Sequence, residues 1–311
     1  MNKIKIVFLG TPEFAIPSLK LLLEHPSIEV SFVVTQPDKP VGRNAVMTPP
    51  PIKVIAQQSN VTIVQPDNVN SDNVVDMVKA VDPDFIIVVA YGQILKDKWL
   101  SLAKKEILNL HASLLPKYRG ASPIQSAILD GCEKTGVSVM GVRQKMDNGP
   151  VYTVREVIIG DKNAISLSEE LARVGAELII DAIINFGAFK QPMVQKDSDA
   201  TYCKKIDRAS GEISFANMDS DEIIRRYRAF YRWPGIFTRI SGKRLILHEI
   251  SKCSLSDFGK AGEVKFDNNK IYIQSKNGVL EIRRLQLEGK KEMDAKSFIA
   301  GNGRFSSQVV E

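Results

Sequence analysis

Residues 84–90, DFIIVVA, hold an unbroken apolar run. It falls far short of the ~20 residues needed to cross a bilayer. It also lacks the alternation of a strand with one face in water. The pattern fits a strand buried on both faces, the condition inside a parallel sheet covered by helices. Residues 3–9 (KIKIVFL), 30–34 (VSFVV), 61–64 (VTIV) and 106–111 (EILNLH) also read as strands, as do 137–142 (VSVMGV) and 151–159 (VYTVREVII). Helical patterns fall between them: 12–25, interrupted early by Pro17, then 51–58, 72–80 and 122–131. A long amphipathic stretch over 166–186 places Leu167, Leu171, Val174 and Leu178 at helical spacing, and Ser166 with Glu169 offers a capping box. Strands alternating with helices predict an α/β fold built on a doubly wound, mostly parallel sheet.

From about Phe189 the period disappears, and 190–207 is polar and irregular, as in a linker. Beyond it the pattern changes. Residues 219–230 read as one helix, followed by short strand candidates over 236–241, 244–251, 262–266, 270–275 and 279–287. Gly242, Gly262, Asn268–Asn269 and Asn277–Gly278 punctuate them. Five short strands with turn signals predict a small OB-like β-barrel. The expected organisation is a catalytic domain over 1–189, a linker over 190–207 and a barrel over 208–311, which suits a chain of 311 residues.

Charge divides along the same line. Residues 1–207 carry 23 Lys and Arg against 23 Asp and Glu, and residues 208–311 carry 19 against 13, so the whole formal excess of +6 lies in the last third. A basic region beside a neutral one suits a polyanion partner, or simply a solvated surface. Cys132, Cys203 and Cys253 are odd in number and widely spaced, which argues against a disulfide framework or a zinc site and for a reducing compartment. The opening MNKIKIVFLG is apolar only briefly, so no secretory segment is expected and the cytoplasm is the expected location.

The turn after the first strand, Gly10-Thr11-Pro12-Glu13-Phe14-Ala15, lacks the glycines of a dinucleotide fingerprint, and no phosphate-binding P-loop motif occurs. The informative segment is NLHASLLPKYRGASP, residues 109–123. Asn109 and His111 end a strand two residues apart and so share a face. Ligands of open α/β sheets bind outside the carboxyl ends of the strands. Asn109 can offer an amide N–H to a carbonyl oxygen, and His111 can hold or take a proton. A histidine fixed by local hydrogen bonds is the plainer alternative. Asp147, in the turn-prone run KMDNGPVY (145–152), is either a turn aspartate or a carboxylate that orients His111. The proline-rich stretch 35–51 (TQPDKPVGRNAVMTPPP) has no period and reads as a functional loop or an irregular crossover.

Taken together, these segments resemble the methionyl-tRNA formyltransferase family. Asn-x-His before Ser-Leu-Leu-Pro (109–116) is the mark of the wider folate formyltransferase group. TQPDKPVGR (35–43) resembles the start of the family's mobile loop, VVAYGQIL (88–95) part of its folate pocket, and Asp147 its Asp-x-Gly element. TYCKKI (201–206), RAFYRWPG (228–235) and LQLEGKKEM (285–293) resemble its C-terminal domain. The likeness has two departures. Arg143 stands where an aspartate is frequent, and Asn44, Ala45 and Val46 stand where lysines are frequent after the Gly-Arg pair.

The resemblance implies a Rossmann-like formyltransferase domain and direct, metal-free transfer of a formyl group from 10-formyltetrahydrofolate to the amino group of initiator methionyl-tRNA. It implies catalytic roles for Asn109, His111 and Asp147. Folate contacts would come from Val89, Tyr91, Gly92, Ser113, Leu114, Leu115 and Pro116. Contacts to tRNA would come from Lys39, Arg43, Arg228, Arg232, Lys243 and Arg244. The expected protein is a monomer with no membrane partner. Two other readings compete: a folate formyltransferase acting on a nucleotide-linked amino sugar or glycinamide ribonucleotide, and a non-catalytic RNA-binding protein.

Overall fold

The protein is described here by a computed structural model covering residues 3–42 and 44–310. The chain divides into two compact units. The first comprises Met1–Pro123, Lys134–Ile158 and Leu167–Cys203, and the second Ile124–Glu133, Ile159–Ser166 and Lys204–Glu311.

The first unit is built on seven strands: β1 (Ile4–Gly10), β2 (Ile28–Val34), β3 (Ile63–Val64), β4 (Phe85–Val89), β5 (Glu106–His111), β6 (Lys134–Gly141) and β7 (Val151–Ile158). Their order is β7-β6-β5-β4-β1-β2-β3. The pairs among β1 to β5 are parallel, while β6 runs antiparallel to both β5 and β7. The chain moves outward from β1 on one side through β2 and β3, and on the other through β4 and β5. That reversal is where a doubly wound sheet opens a crevice at its carboxyl edge. Phe85, Ile86, Ile87 and Val89 are buried, as the apolar run of β4 requires.

Helices α1 (Ile16–Glu24), α2 (Pro51–Gln58), α3 (Asp72–Val81) and α4 (Pro123–Leu129) follow the predicted positions. Two details differ. Pro17 stands in the first turn of α1, where its missing N–H costs nothing, so it opens the helix instead of interrupting it. The long helix α5 (Ala164–Ile184) starts before Ser166, and Asn163 Oδ1 accepts the N–H groups of Ile165 and Ser166, which displaces the predicted capping box. The stretch 35–51 is also less irregular than its composition suggests. Lys39–Val41 pairs antiparallel with Val46–Thr48, leaving Val41, Val46 and Met47 exposed. Residues 193–203 join the first unit: Met193 bridges Val151, and Tyr202–Cys203 pairs with Arg119–Gly120.

The second unit carries helix α6 (Ser220–Ala229), whose N-cap Asp219 accepts the N–H of Glu222. An antiparallel sheet follows, with β8 (Ile236–Ile240), β9 (Lys243–Lys252), β10 (Val264–Asp267), β11 (Lys270–Gln274) and β12 (Val279–Leu287) in the order β8-β9-β12-β11-β10, and the short strand Met293–Asp294 pairing with β12 as a sixth. Val310 bridges Ile240, and Val309 bridges Glu263 just before β10, so the chain's last described residues join the two edges of the sheet. Closing the edges in this way makes the predicted barrel.

Candidate active site

Asn109 and His111 end β5 between two partners. Asn109 lies opposite Val88 of β4 and Met140 of β6, and His111 lies opposite Ser138. His111 is buried. Its Nε2 donates to the Tyr118 carbonyl at 2.8 Å, and its Nδ1 faces Asp147 Oδ2 at 3.8 Å. The hydrogen bond that fixes the ring therefore goes to Tyr118, not to the carboxylate. Asp147 is itself fixed: Oδ2 accepts the N–H of Gly120 at 2.8 Å, and its backbone is left-handed at φ 51°. The amide side chain of Asn109 has no hydrogen-bond partner among the described residues. Histidine and carboxylate thus come together from positions far apart in the chain, beside an uncommitted amide on the same strand.

The turn after β5 is rigid for local reasons. Ser113 is fully buried and its hydroxyl donates to the Lys117 carbonyl at 2.6 Å. Ser138 donates to the Ser113 carbonyl at 2.6 Å and accepts the N–H of Leu115 at 3.1 Å. The Leu115 side chain packs with Met140 and Val151, and the Leu115–Pro116 peptide is cis. Leu114 lies close over Gly136, where an added Cβ would come within 2.5 Å of its Cδ2. Val89 and Tyr91 belong to the core; Tyr91 packs among Leu9, Val75 and Trp99, and burial pushes its hydroxyl up to about 12. Its carbonyl accepts the Thr11 hydroxyl at 2.8 Å. Gly92 follows with φ 95°. From Val89 to Gly92, a ligand would thus meet backbone more than side chain.

Tyr118, Gly120 and Ser138 bond His111, Asp147 and the turn after β5, contacts that the sequence did not signal. The first two act through backbone groups that every residue carries, and Ser138 is hidden in an apolar strand. Arg143 has a different use from the aspartate frequent at its position. It grips Glu106 through two hydrogen bonds, at 2.9 and 2.8 Å, while the Tyr152 hydroxyl donates to the same carboxylate at 2.6 Å. Burial alone would push the Glu106 carboxyl up, but the bonds from Arg143 and Tyr152 outweigh it and hold it below the usual carboxylate range.

The cations proposed for tRNA differ in availability. Lys39 is exposed on the hairpin, whereas Arg43 lies outside the described residues. Arg228 is committed within the second unit: Nε donates to the Lys162 carbonyl at 3.0 Å, and Nη2 also donates to Gly160. Burial pushes its guanidinium pKa down. Arg232 is exposed, left-handed at φ 66°, and lies 5.9 Å from the Tyr231 ring centre. It lines a cavity of about 600 Å³ with Tyr227, His248 and Arg284. Lys243 is exposed at the start of β9, and Arg244 lies 3.7 Å over the Phe237 ring.

Comparison with known proteins gives a consistent picture. The formyl transferase family model matches residues 4–183, and the model for the formyl transferase C-terminal domain matches 205–303. The methionyl-tRNA formyltransferase of Caldicellulosiruptor saccharolyticus is 39% identical over 301 residues, covering 95% of this chain and 96% of that protein. Among solved structures, a sugar 3N-formyl transferase determined with dTDP and 5-N-formyl-THF superposes with a TM-score of 0.66 at 18% identity, over 94% of this chain and 100% of that one. HypX from Aquifex aeolicus, in complex with tetrahydrofolic acid, gives 0.65 at 17% identity; the match takes in 98% of this chain but only 48% of HypX. The chain belongs to the formyl transferase family.

Proposed function

We propose that this protein transfers a formyl group from 10-formyltetrahydrofolate to the α-amino group of initiator methionyl-tRNA, in the cytoplasm and as a monomer. The observation that carries the chemistry is the His111–Asp147 pair beside the unpartnered Asn109 amide. Similarity to methionyl-tRNA formyltransferases along nearly the whole chain supports the acceptor. The location is consistent with the absence, among the described residues, of a helix long and apolar enough to cross a membrane.

The formyl folate supplies an activated one-carbon acyl group. The chain's own residues supply the rest. As the amine attacks, negative charge grows on the formyl oxygen, and the Asn109 N–H would be the donor that meets it. The proton on His111 Nε2 is committed to the Tyr118 carbonyl. Nδ1 is then the nitrogen that would take the proton released by the amine, with Asp147 facing it to stabilise the resulting imidazolium; returning that proton to N10 of the folate as the formyl–N10 bond breaks lets tetrahydrofolate leave. Ser113, Leu114, Leu115 and Pro116, with the backbone at Val89, Tyr91 and Gly92, would border the folate. The basic second unit, through Arg232, Lys243 and Arg244, would meet tRNA phosphates, together with Lys39 and Arg43. Arg228 would act indirectly, by holding residues 160–162.

The deciding assay supplies one formyl folate donor with charged initiator tRNA, charged elongator methionyl-tRNA, a nucleotide-linked amino sugar or glycinamide ribonucleotide. Formylation of the initiator alone is expected. Transfer to the sugar or the glycinamide instead would overturn the acceptor. A blank on every acceptor would favour the RNA-binding alternative. In the same assay His111→Ala should lose roughly 10²–10⁴ in kcat.

A further inference from the structure

Both halves of the His111–Asp147 pair are held by one stretch of chain, 193–203, which lies between the two segments the family models match. Gln195 is its buried centre, 8% exposed. Its Nε2 donates to the carbonyls of Asp147, at 2.9 Å, and Gly149, at 2.7 Å. Its Oε1 accepts from Arg119 Nε at 3.0 Å. Arg119, 2% exposed, is anchored in turn by Asp197 Oδ1 at 2.8 Å. Further along, the Thr201 hydroxyl accepts the Tyr118 N–H at 2.8 Å, and the Thr201 carbonyl accepts the Arg119 N–H at 2.9 Å. Tyr118 and Asp147 are both left-handed, at φ 59° and 51°. Conformations of that kind are strained and persist only where the surroundings impose them. Here the stretch 193–203 bonds the backbone of both. The Tyr118 carbonyl sets His111 Nε2, and the turn at 147–149 sets the carboxylate facing Nδ1.

We infer that 193–203 is a clasp for the catalytic pair and that Gln195 is a positioning residue for formyl transfer. Its amide makes three hydrogen bonds and couples the Asp147 turn to Arg119, the neighbour of Tyr118, whose carbonyl fixes His111. This rests on the catalytic reading of His111 and Asp147 given above.

The test uses the full chain. Gln195→Leu keeps the side chain's bulk and removes all three bonds. Misplacing reacting groups by about an ångström can cost up to ~10²-fold, so kcat should fall roughly 10- to 100-fold while both KM values stay within about threefold. The pH profile of kcat/KM should shift as well. In an Asp147→Asn background the same substitution should cost less than about twofold, because it acts through that carboxylate. Near-normal kcat, or an equal loss in both backgrounds, overturns the inference. A thermal melt checks folding. Should Gln195→Leu fail to fold, Thr201→Val removes only the exposed acceptor of the Tyr118 N–H; a severalfold fall in kcat is expected, and unchanged kcat overturns the inference. His111→Ala and Asp147→Asn run alongside. Normal turnover in those two removes the catalytic reading and the clasp with it. If those two are inactive while Gln195→Leu or Thr201→Val turns over normally, the clasp alone fails.

Discussion

Asn109 is the residue whose surroundings ask least of it. Its backbone is spent in the sheet, and its side-chain amide is left without a partner among the described residues. Removing one donor to a developing oxyanion typically costs ~10²–10³ in rate, so Asn109→Ala should lower kcat by about that factor with small changes in either KM. Steady-state kinetics on charged initiator tRNA checks this. Tyr91 makes the opposite case. Its place in a folate-like motif suggests a ligand contact, but its side chain is in the core and its hydroxyl has no partner among the described residues. Leaving a buried hydroxyl unmatched costs about 1–3 kcal/mol, so Tyr91→Phe should match or exceed the parent in thermal stability and leave the KM for folate unchanged. A raised folate KM would show that the hydroxyl reaches the ligand.

Strand β5 begins and ends on charged or titratable side chains, and its two ends do different jobs. His111 faces Asp147, while Glu106 binds Arg143 and Tyr152. Because Glu106 is held below its ordinary range in the folded protein, its contribution to stability is full above the unfolded carboxyl pKa and is lost as pH falls through the folded one. Glu106→Gln should therefore destabilise the protein by about 1–3 kcal/mol at neutral pH, with the gap to the parent closing under acid. Unfolding midpoints measured across acid pH test the sign. The limits of β5 and α2 were readable, since apolar runs and a leading proline mark them directly. The pairing of Lys39–Val41 with Val46–Thr48 was not, because both strands are only three residues long and neither buries a face. The site was readable only in part. Asn109, His111 and Asp147 stand out by residue type, whereas the Tyr118 carbonyl, the Gly120 N–H and the Gln195 bridge depend on which backbone groups the tertiary fold brings together. Gly120 shows the tightness of that closure: with φ 116°, an added Cβ would stand 2.4 Å from the Cys203 carbonyl.

At the level of the whole molecule, charge and fold part company with sequence order. The basic excess lies after residue 207, yet not every cation there is free to meet phosphate, since Arg228 is tied to carbonyls. Affinity for tRNA should fall steeply with salt, because each phosphate contact releases counterions, and Lys243→Glu should flatten the log–log slope by about one unit. Binding isotherms across salt concentrations check both, and a flat response in the parent would remove the second unit as a docking surface. The clasp at 193–203 also bears on how the protein is made. Synthesis runs from the amino end, so the last piece that steadies His111 and Asp147 leaves the ribosome before any strand of the antiparallel barrel exists. The barrel's central strand, β12, emerges after the four strands beside it in the sheet order, and the bridges from Val309 and Val310 come later still, so its sheet closes only near the end of translation. The nascent chain can thus arrange its reacting groups well before it gains the surface that would hold a polyanion.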